Sequence, residues 1–194
     1  MELRMLGRSG LKVSPLCLGG NVFGWTTDEK RSIELLNTFV GAGLNFIDTA
    51  DVYSTWVPRH QGGESEAIIG NWMKSRRNRA SVVIATKVGM EMRGQRGLAK
   101  AHILASVEGS LRRLQTDYID LYQSHKADPE TPIEETLAAY AELIAAGKVR
   151  AIGASNYTTA QLRTALEASA RLELPRYESS QKYLKFQHQP MRVN

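Results

Sequence analysis

Four polar side chains in this chain can together form a proton-donating site, although they are far apart in sequence. They lie at or just past the ends of strand-like runs that are mainly apolar or β-favouring, and they are Asp48, Tyr53, Lys87 and His125. A parallel sheet gathers the carboxyl ends of its strands at one edge. The sequence therefore predicts that a carboxylate, a phenol, an ammonium and an imidazole meet at one edge of a sheet.

The chemistry expected of this set is reduction of a carbonyl group. A phenol with a pKa of ~10 is a poor acid at neutral pH, and a nearby cation lowers that pKa. Lys87 is predicted to be this cation for Tyr53, held by an ion pair with Asp48, while His125 orients a carbonyl oxygen. Proton donation suits a carbonyl oxygen that gains negative charge as a hydride reaches its carbon. No side chain supplies a hydride, so we expect a nicotinamide cofactor to do so.

Each of these residues also has a simpler interpretation. Asp48 can cap a turn, Tyr53 can form an aromatic surface patch with Trp56, and a single histidine such as His125 is more often structural. Lys87 is harder to explain this way, because an ammonium group rarely lies at the edge of a core without a partner.

Three amide or hydroxyl side chains follow the fifth and sixth strand-like runs. Ser155 and Asn156 can hold a carboxamide such as that of nicotinamide, since an asparagine offers both a donor and an acceptor. They can equally cap the helix that follows. Gln181 is a second candidate amide at the sixth strand.

The elements that must position these side chains alternate between strand and helix. A turn at 7–10 between two short runs predicts a hairpin, and six strand-helix units then start near positions 17, 45, 82, 118, 150 and 177. Regular alternation indicates parallel strands. The sequence lacks GxGxxG and GxxxxGK[ST], which favours a closed (β/α)8 barrel over a nucleotide-binding open sheet. Such a barrel has eight strands and typically ~250 residues, so we expect the last two units to be missing.

The composition is that of a globular protein, with 194 residues, a net charge of +5 and 42% hydrophobic residues. We interpret the basic cluster that follows one helix as a solvated helix end and not a nucleic-acid site; its members are Lys74, Arg76, Arg77 and Arg79. The single cysteine excludes an internal disulfide and a cysteine-based zinc site. Cys17 lies in an apolar run and is predicted to be a small buried residue.

No apolar stretch approaches the ~20 residues that span a bilayer, and the first eight residues lack the apolar core of a signal peptide. We therefore expect a cytoplasmic protein without membrane partners.

Four motifs in order carry a resemblance to a known family. The chain is similar to the aldo-keto reductases in the motifs GLNFIDTADVY at 43–53, IATKV at 84–88, LRRLQTDYIDLYQSH at 111–125 and GKVRAIGASN at 147–156. The motif GGESE at 62–66 resembles the bacterial and channel-β-subunit-like branch, as opposed to the aldose reductase branch.

The resemblance implies a TIM barrel with an N-terminal hairpin plugging its bottom, and carbonyl reduction by NADPH. By motif, Tyr53 would be the general acid, Asp48 and Lys87 would tune it, and His125 would orient the substrate. The resemblance also implies that Ser155, Asn156 and Gln181 hold the nicotinamide carboxamide. It further implies that Gly20 and Asn21 contact the cofactor, and that Trp25 and Trp56 contact the substrate.

The sequence departs from the family after Gln181, where it continues QKYLK at 181–185 in place of a Tyr-Asn-Leu pattern. The family's aromatic residue that stacks on nicotinamide and its basic loop that grips the 2′-phosphate should follow the sixth strand. We therefore expect one reductase-like barrel domain over 1–194 that lacks its C-terminal units. The alternative is an impaired reductase that acts as a cofactor-binding or interaction module, and that self-associates through an exposed sheet edge.

Overall fold

The computed structural model describes residues 2–182. A short antiparallel hairpin, β1 (Arg4–Met5) and β2 (Lys12–Val13), precedes the units. The first three units then comprise β3 (Cys17–Gly19), α1 (Glu29–Gly41), β4 (Phe46–Asp48), α2 (Glu64–Arg76), β5 (Val83–Val88) and α3 (Lys100–Leu114). The rest are β6 (Ile119–Ser124), α4 (Ile133–Ala145), β7 (Val149–Ser155), α5 (Thr159–Arg171) and β8 (Tyr177–Gln181).

The six main strands form one parallel sheet in the order in which they occur, β3-β4-β5-β6-β7-β8. The sheet curls strongly, because the Gln181 side chain on β8 reaches Asp48 on β4 at 3.2 Å. Within residues 2–182 the architecture is thus a half-barrel of six parallel strands and five α-helices. This confirms the predicted α/β barrel type with an N-terminal hairpin, while the helix of the sixth predicted unit lies outside the described residues.

Alternating residues along the strands supply two separate apolar layers. One layer packs the convex face of the sheet against the helices, with strand residues such as Ile84 and Ile152 meeting helix residues such as Ile103 and Leu137. The other layer lines the concave face, where the hairpin covers it, and contains Leu11, Val13, Val83, Ala85, Leu121 and Ala151. Burial on both faces explains why β5 and β6 are fully buried along their lengths.

The hairpin bridges two distant parts of the sheet. At one end, the Asn45 side chain just before β4 accepts from the Ser14 amide at 2.8 Å and donates to the Lys12 carbonyl at 3.0 Å. At the other end, the Arg8 amide donates to the Glu178 carboxylate on β8 at 2.6 Å. These polar contacts fix the hairpin across the concave face of the half-barrel.

Two sequence-based interpretations are wrong. Cys17 is exposed and not buried, because β3 is an end strand of the sheet within residues 2–182 and has a neighbour on one side only. Arg79 is not a solvated residue. Its guanidinium donates to the Tyr118 carbonyl at 2.9 Å and to Asp120 at 2.7 Å, and it stacks over the Tyr118 ring.

Within the described part of the chain, no helix is both long and apolar enough to cross a membrane.

Candidate active site

Strand ends bring the predicted residues to one edge of the half-barrel. Asp48 ends β4, Lys87 lies near the end of β5, and His125 directly follows β6. Lys87, His125 and Tyr53 line one side of a cavity of about 220 Å³, whereas Asp48 contacts Lys87 and is not part of the lining. The full lining is Tyr53, Lys87, His125, Ser155, Asn156, Gln181 and Lys182. The meeting of the four residues, predicted from a parallel sheet, is therefore present in the structure.

Lys87 is the centre of the hydrogen-bond network and is 1% exposed. Its Nζ donates to Asp48 Oδ2 at 2.6 Å, to the Thr49 carbonyl at 2.8 Å and to Tyr53 Oη at 3.0 Å. Burial lowers the pKa of Lys87, but the charge of Asp48 and the contact with Tyr53 outweigh it, so the net shift is upward. An ammonium has three protons, and all three are used. Because Tyr53 Oη accepts from Lys87, its own O–H is left to donate elsewhere.

The loop that carries Tyr53 is held from three sides. The Asp51 amide donates to the Lys87 carbonyl at 3.2 Å, and the Tyr53 amide donates to the Ala50 carbonyl at 3.2 Å. The next residue, Ser54, has a positive φ of 75° and its hydroxyl donates to the Phe23 carbonyl at 2.8 Å. These bonds fix the phenol over the end of β5.

The expected depression of the Tyr53 pKa is wrong in sign. Burial raises the pKa of Tyr53 above its usual value of 10.0; the charge of Lys87 lowers it, but the charge of Asp48 raises it again. The Asp48 carboxylate thus cancels much of the effect of the cation. Tyr53 consequently keeps its proton at neutral pH, which a proton donor requires.

His125 is held as a neutral imidazole. Burial lowers its pKa from 6.5 to about 3, and the charges of Lys87 and Lys126 act in the same direction. Its ring centre lies 5.9 Å from that of Tyr53, edge to face, and its Nδ1 is buried without a partner among residues 2–182. A neutral imidazole has one N–H donor and one acceptor nitrogen, so it can donate a hydrogen bond to a ligand oxygen beside Tyr53.

Asp48 is oriented by two glutamines in addition to Lys87. Gln123 Nε2 donates to Asp48 Oδ1 at 3.0 Å, and Gln181 Nε2 donates to Oδ2 at 3.2 Å. The first of these residues escaped the sequence analysis. A usable signal existed, because Gln123 precedes His125 by two residues and so shares its side of the strand. Its strand neighbour Gly153 leaves space for it, since a side chain there would come within 3.1 Å of the Gln123 Cγ.

The three residues predicted to hold a carboxamide all line the cavity. Two of them, Asn156 and Gln181, have side-chain amide nitrogens, and both nitrogens already have hydrogen-bond partners. Asn156, with a positive φ of 58°, donates through Nδ2 to the His125 carbonyl at 3.0 Å and to Ser155 Oγ at 3.1 Å. Gln181 donates to Asp48 as described. The helix-cap alternative for Ser155 and Asn156 is wrong, because α5 is capped by Thr158.

Gly20 and Asn21 do not line the cavity. Gly20 forms the tight turn after β3; its amide donates to the Asp48 carbonyl at 2.7 Å, and its carbonyl accepts from Ser65 Oγ at 2.8 Å. Trp25 and Trp56 are 51% and 47% exposed and meet edge to face at 5.7 Å. Trp56 also lies 6.1 Å from the Tyr53 ring, so the two indoles continue the aromatic surface outward from Tyr53.

A second buried polar cluster behind Lys87 was not predicted. Glu66 is fully buried and accepts from Thr86 Oγ1 at 2.6 Å and from Arg113 Nε at 2.7 Å. Asp51 is 2% exposed, and its Oδ1 has no partner within residues 2–182. Burial and, next, the charge of Glu66 raise the pKa of Asp51 to about 8. The charge of Arg113, which is ion-paired with Glu66, lowers this pKa but does not outweigh burial, so Asp51 is largely protonated at neutral pH.

Comparison with known proteins agrees with this arrangement. The family model described as "Aldo/keto reductase family" matches residues 15–186. Two similar proteins come from Bacillus subtilis: Aldo-keto reductase YhdN, 42% identical over 84% of this chain and 50% of its own length, and Uncharacterized oxidoreductase YrpG, 40% identical over 91% and 55%. A probable voltage-gated potassium channel subunit beta of Oryza sativa subsp. japonica is 37% identical over 90% of this chain and 52% of its own length. The chain spans about half the length of these relatives. It belongs to the aldo/keto reductase family.

Proposed function

We propose that the chain reduces aldehydes or ketones to alcohols, with Tyr53 as the general acid and NADPH as the cofactor. The observation that carries the proposal is the network at Lys87. Its Nζ donates to Asp48, Thr49 and Tyr53 Oη, so the Tyr53 proton remains available to a ligand.

The chain's own residues supply the proton half of the reaction. A carbonyl oxygen beside Tyr53 would accept hydrogen bonds from Tyr53 Oη and from the neutral imidazole of His125. As negative charge develops on that oxygen, the Tyr53 proton transfers to it, and an alcohol is formed. The resulting phenolate is stabilised by Lys87 Nζ, which already donates to Tyr53 Oη at 3.0 Å. Asp48 balances the charge of Lys87 in the resting state.

The residues present fit one end of a nicotinamide cofactor, which would supply the hydride. Ser155, Asn156 and Gln181 converge on the cavity that contains Tyr53 and His125. The Ser155 hydroxyl accepts from Asn156 at 3.1 Å and so keeps its own proton for a ligand carbonyl. The amide oxygens of Asn156 and Gln181 supply acceptors for a carboxamide N–H₂. Trp25 and Trp56 would form a wall of the substrate site. Gly20, in the turn after β3, and the exposed Asn21 next to it would contact the cofactor.

The test is loss of NADPH absorbance that depends on an added aldehyde, measured with a panel of aldehydes. We expect Tyr53→Phe to lower the rate by about 10²- to 10⁴-fold, the usual contribution of a general acid. Tyr122→Phe is the matched control, since it removes a buried hydroxyl that has no partner within residues 2–182. A folded protein without carbonyl-dependent oxidation, or an active Tyr53→Phe variant, would contradict the proposal.

A second candidate function is an interaction module that binds another copy of itself. Within residues 2–182, the end strands β3 and β8 each pair on one side only, and such edges can accept a further strand. Light scattering after size exclusion, over a range of protein concentrations, measures the mass directly. A concentration-dependent dimer supports self-association, whereas a monomer at all concentrations argues against it.

A further inference from the structure

Lys182 brings a positive charge to the candidate active site, and no residue of 2–182 forms an ion pair with it. It directly follows Gln181, is exposed and lines the same cavity as Tyr53 and His125. No carboxylate of residues 2–182 lies within the 4.0 Å that defines an ion pair with its Nζ. The described residues that line the cavity include no aspartate or glutamate.

The other ionisable groups at the cavity do not balance this charge. The Lys87 ammonium is neutralised by Asp48, which is 2.6 Å away. His125 is neutral, because burial and the neighbouring lysines lower its pKa to about 3. Tyr53 keeps its proton. Among the described residues that line the cavity, Lys182 therefore carries the one positive charge that is not compensated.

Lys126, the residue after His125, is the other cation near this site, but it lies among carboxylates. It lines a neighbouring cavity that also contains Asp128 and Glu130. Glu130 contacts Arg96 at 3.7 Å, and Asp128 accepts from the Leu98 amide at 2.7 Å. A negative ligand near Lys126 would meet these carboxylates, so Lys182 is the residue placed to attract one.

We propose that Lys182 is a specificity-determining residue that makes the site prefer carbonyl compounds carrying a carboxylate or phosphate group. The inference rests on the proposed carbonyl-reducing function, which places the carbonyl oxygen at Tyr53 and His125. A negative group on the same small molecule then interacts with the ammonium of Lys182 across a cavity of about 220 Å³. This attraction is partly screened at the open side of the cavity and weakens with added salt.

The test compares two aldehydes that are similar in shape but differ in charge, 4-carboxybenzaldehyde and its methyl ester. Affinities are measured by ligand-observed NMR, so that the result does not depend on turnover. We expect the wild-type protein to bind the carboxylate roughly five- to tenfold more tightly, as for about 1 kcal/mol of charge attraction near a surface. Lys182→Gln should remove this preference, Lys182→Glu should reverse it, and Lys182→Arg should keep it.

Lys74→Gln is the matched control, because it removes one exposed lysine at the far end of α2 and leaves the cavity unchanged. An unchanged preference in folded Lys182→Gln, or equal binding of both aldehydes by the wild type, would overturn the proposal. NADPH titrations of the same variants separate the two sources of negative charge. If Lys182→Gln weakens NADPH binding and leaves the aldehyde preference intact, the lysine serves the cofactor and the inference is wrong. Selective binding without turnover would instead refute only the proposed catalytic function.

Discussion

Replacing Asp51 with asparagine should stabilise the protein, and by more as the pH rises. Asp51 is almost fully buried, and the guanidinium of Arg113 is ion-paired with Glu66 at 2.7 Å and not with Asp51. Burial and Glu66 raise the pKa of Asp51 from 3.8 to about 8 in the folded protein. A raised pKa means that the folded state holds a proton that the unfolded state releases. The stabilising contribution is complete below 3.8 and is lost as the pH rises through 8.

The size of the effect follows from this shift. Each pH unit between the unfolded and folded pKa values changes the free energy of unfolding by about 1.4 kcal/mol. Between pH 5 and pH 8, release of the Asp51 proton on unfolding should therefore lower the free energy of unfolding of the wild type by about 4 kcal/mol. An asparagine side chain at this position cannot ionise and is close in shape to the protonated carboxyl, so the variant escapes this loss.

The assay is urea unfolding of wild type and Asp51→Asn, followed by circular dichroism at pH 5, 6.5 and 8. We expect the advantage of the variant to grow by about 4 kcal/mol from the lowest to the highest pH. Asp117→Asn, at an exposed aspartate, is the matched control and should show no such growth. A difference between Asp51→Asn and wild type that is constant across this pH range would refute a protonated, buried Asp51.

Two further predictions concern stability. The pKa of His125 is about 3 in the folded protein, against 6.5 ordinarily, so its contribution to stability is present above pH 6.5 and is lost as the pH falls. The free energy of unfolding of the wild type should therefore fall between pH 6.5 and pH 5. His125→Gln should remove about 2 kcal/mol of this loss, measured by urea unfolding. Gly70→Ala in α2 should destabilise by about 1–3 kcal/mol despite the better helix propensity of alanine, because a β-carbon there would meet the Arg113 carbonyl of α3. Gly41→Ala in α1, where a β-carbon meets no atom within 4 Å, should instead be neutral or stabilising by up to about 1 kcal/mol. Thermal melts of the two variants measure whether their changes in stability have opposite signs.

Local sequence patterns predicted the helices and strands well, because periodicity is local and some boundaries, such as the starts of α1 and α5, are fixed by a side chain within three residues. Asp28, for example, directly precedes α1, and its carboxylate accepts from the Arg31 amide at 2.8 Å. The predicted strand ends also brought Asp48, Lys87 and His125 together, since parallel pairing alone determines which ends meet.

Features that depend on partners distant in sequence were not predictable in this way. The role of Gln123 depends on Asp48, which lies 75 residues earlier. The upward shift of the Tyr53 pKa depends on how deeply the loop is buried and on how closely Asp48 approaches Lys87. The exposure of Cys17 depends on the position of β3 at the end of the sheet, which a single apolar run cannot reveal.

The hairpin contact with β8 has a consequence for the order of folding. The Arg8 amide bonds to Glu178, 170 residues later in the chain, so the hairpin cannot complete its docking until almost all of the described chain has been synthesised. Contacts of such long sequence separation form late, because the entropy of closing the intervening loop must be overcome first. During synthesis on the ribosome, the apolar side chains of Leu11 and Val13 would thus lack their final neighbours until the later strands have been synthesised. The hairpin residues, near the start of the described chain, are therefore among the last to reach their native contacts.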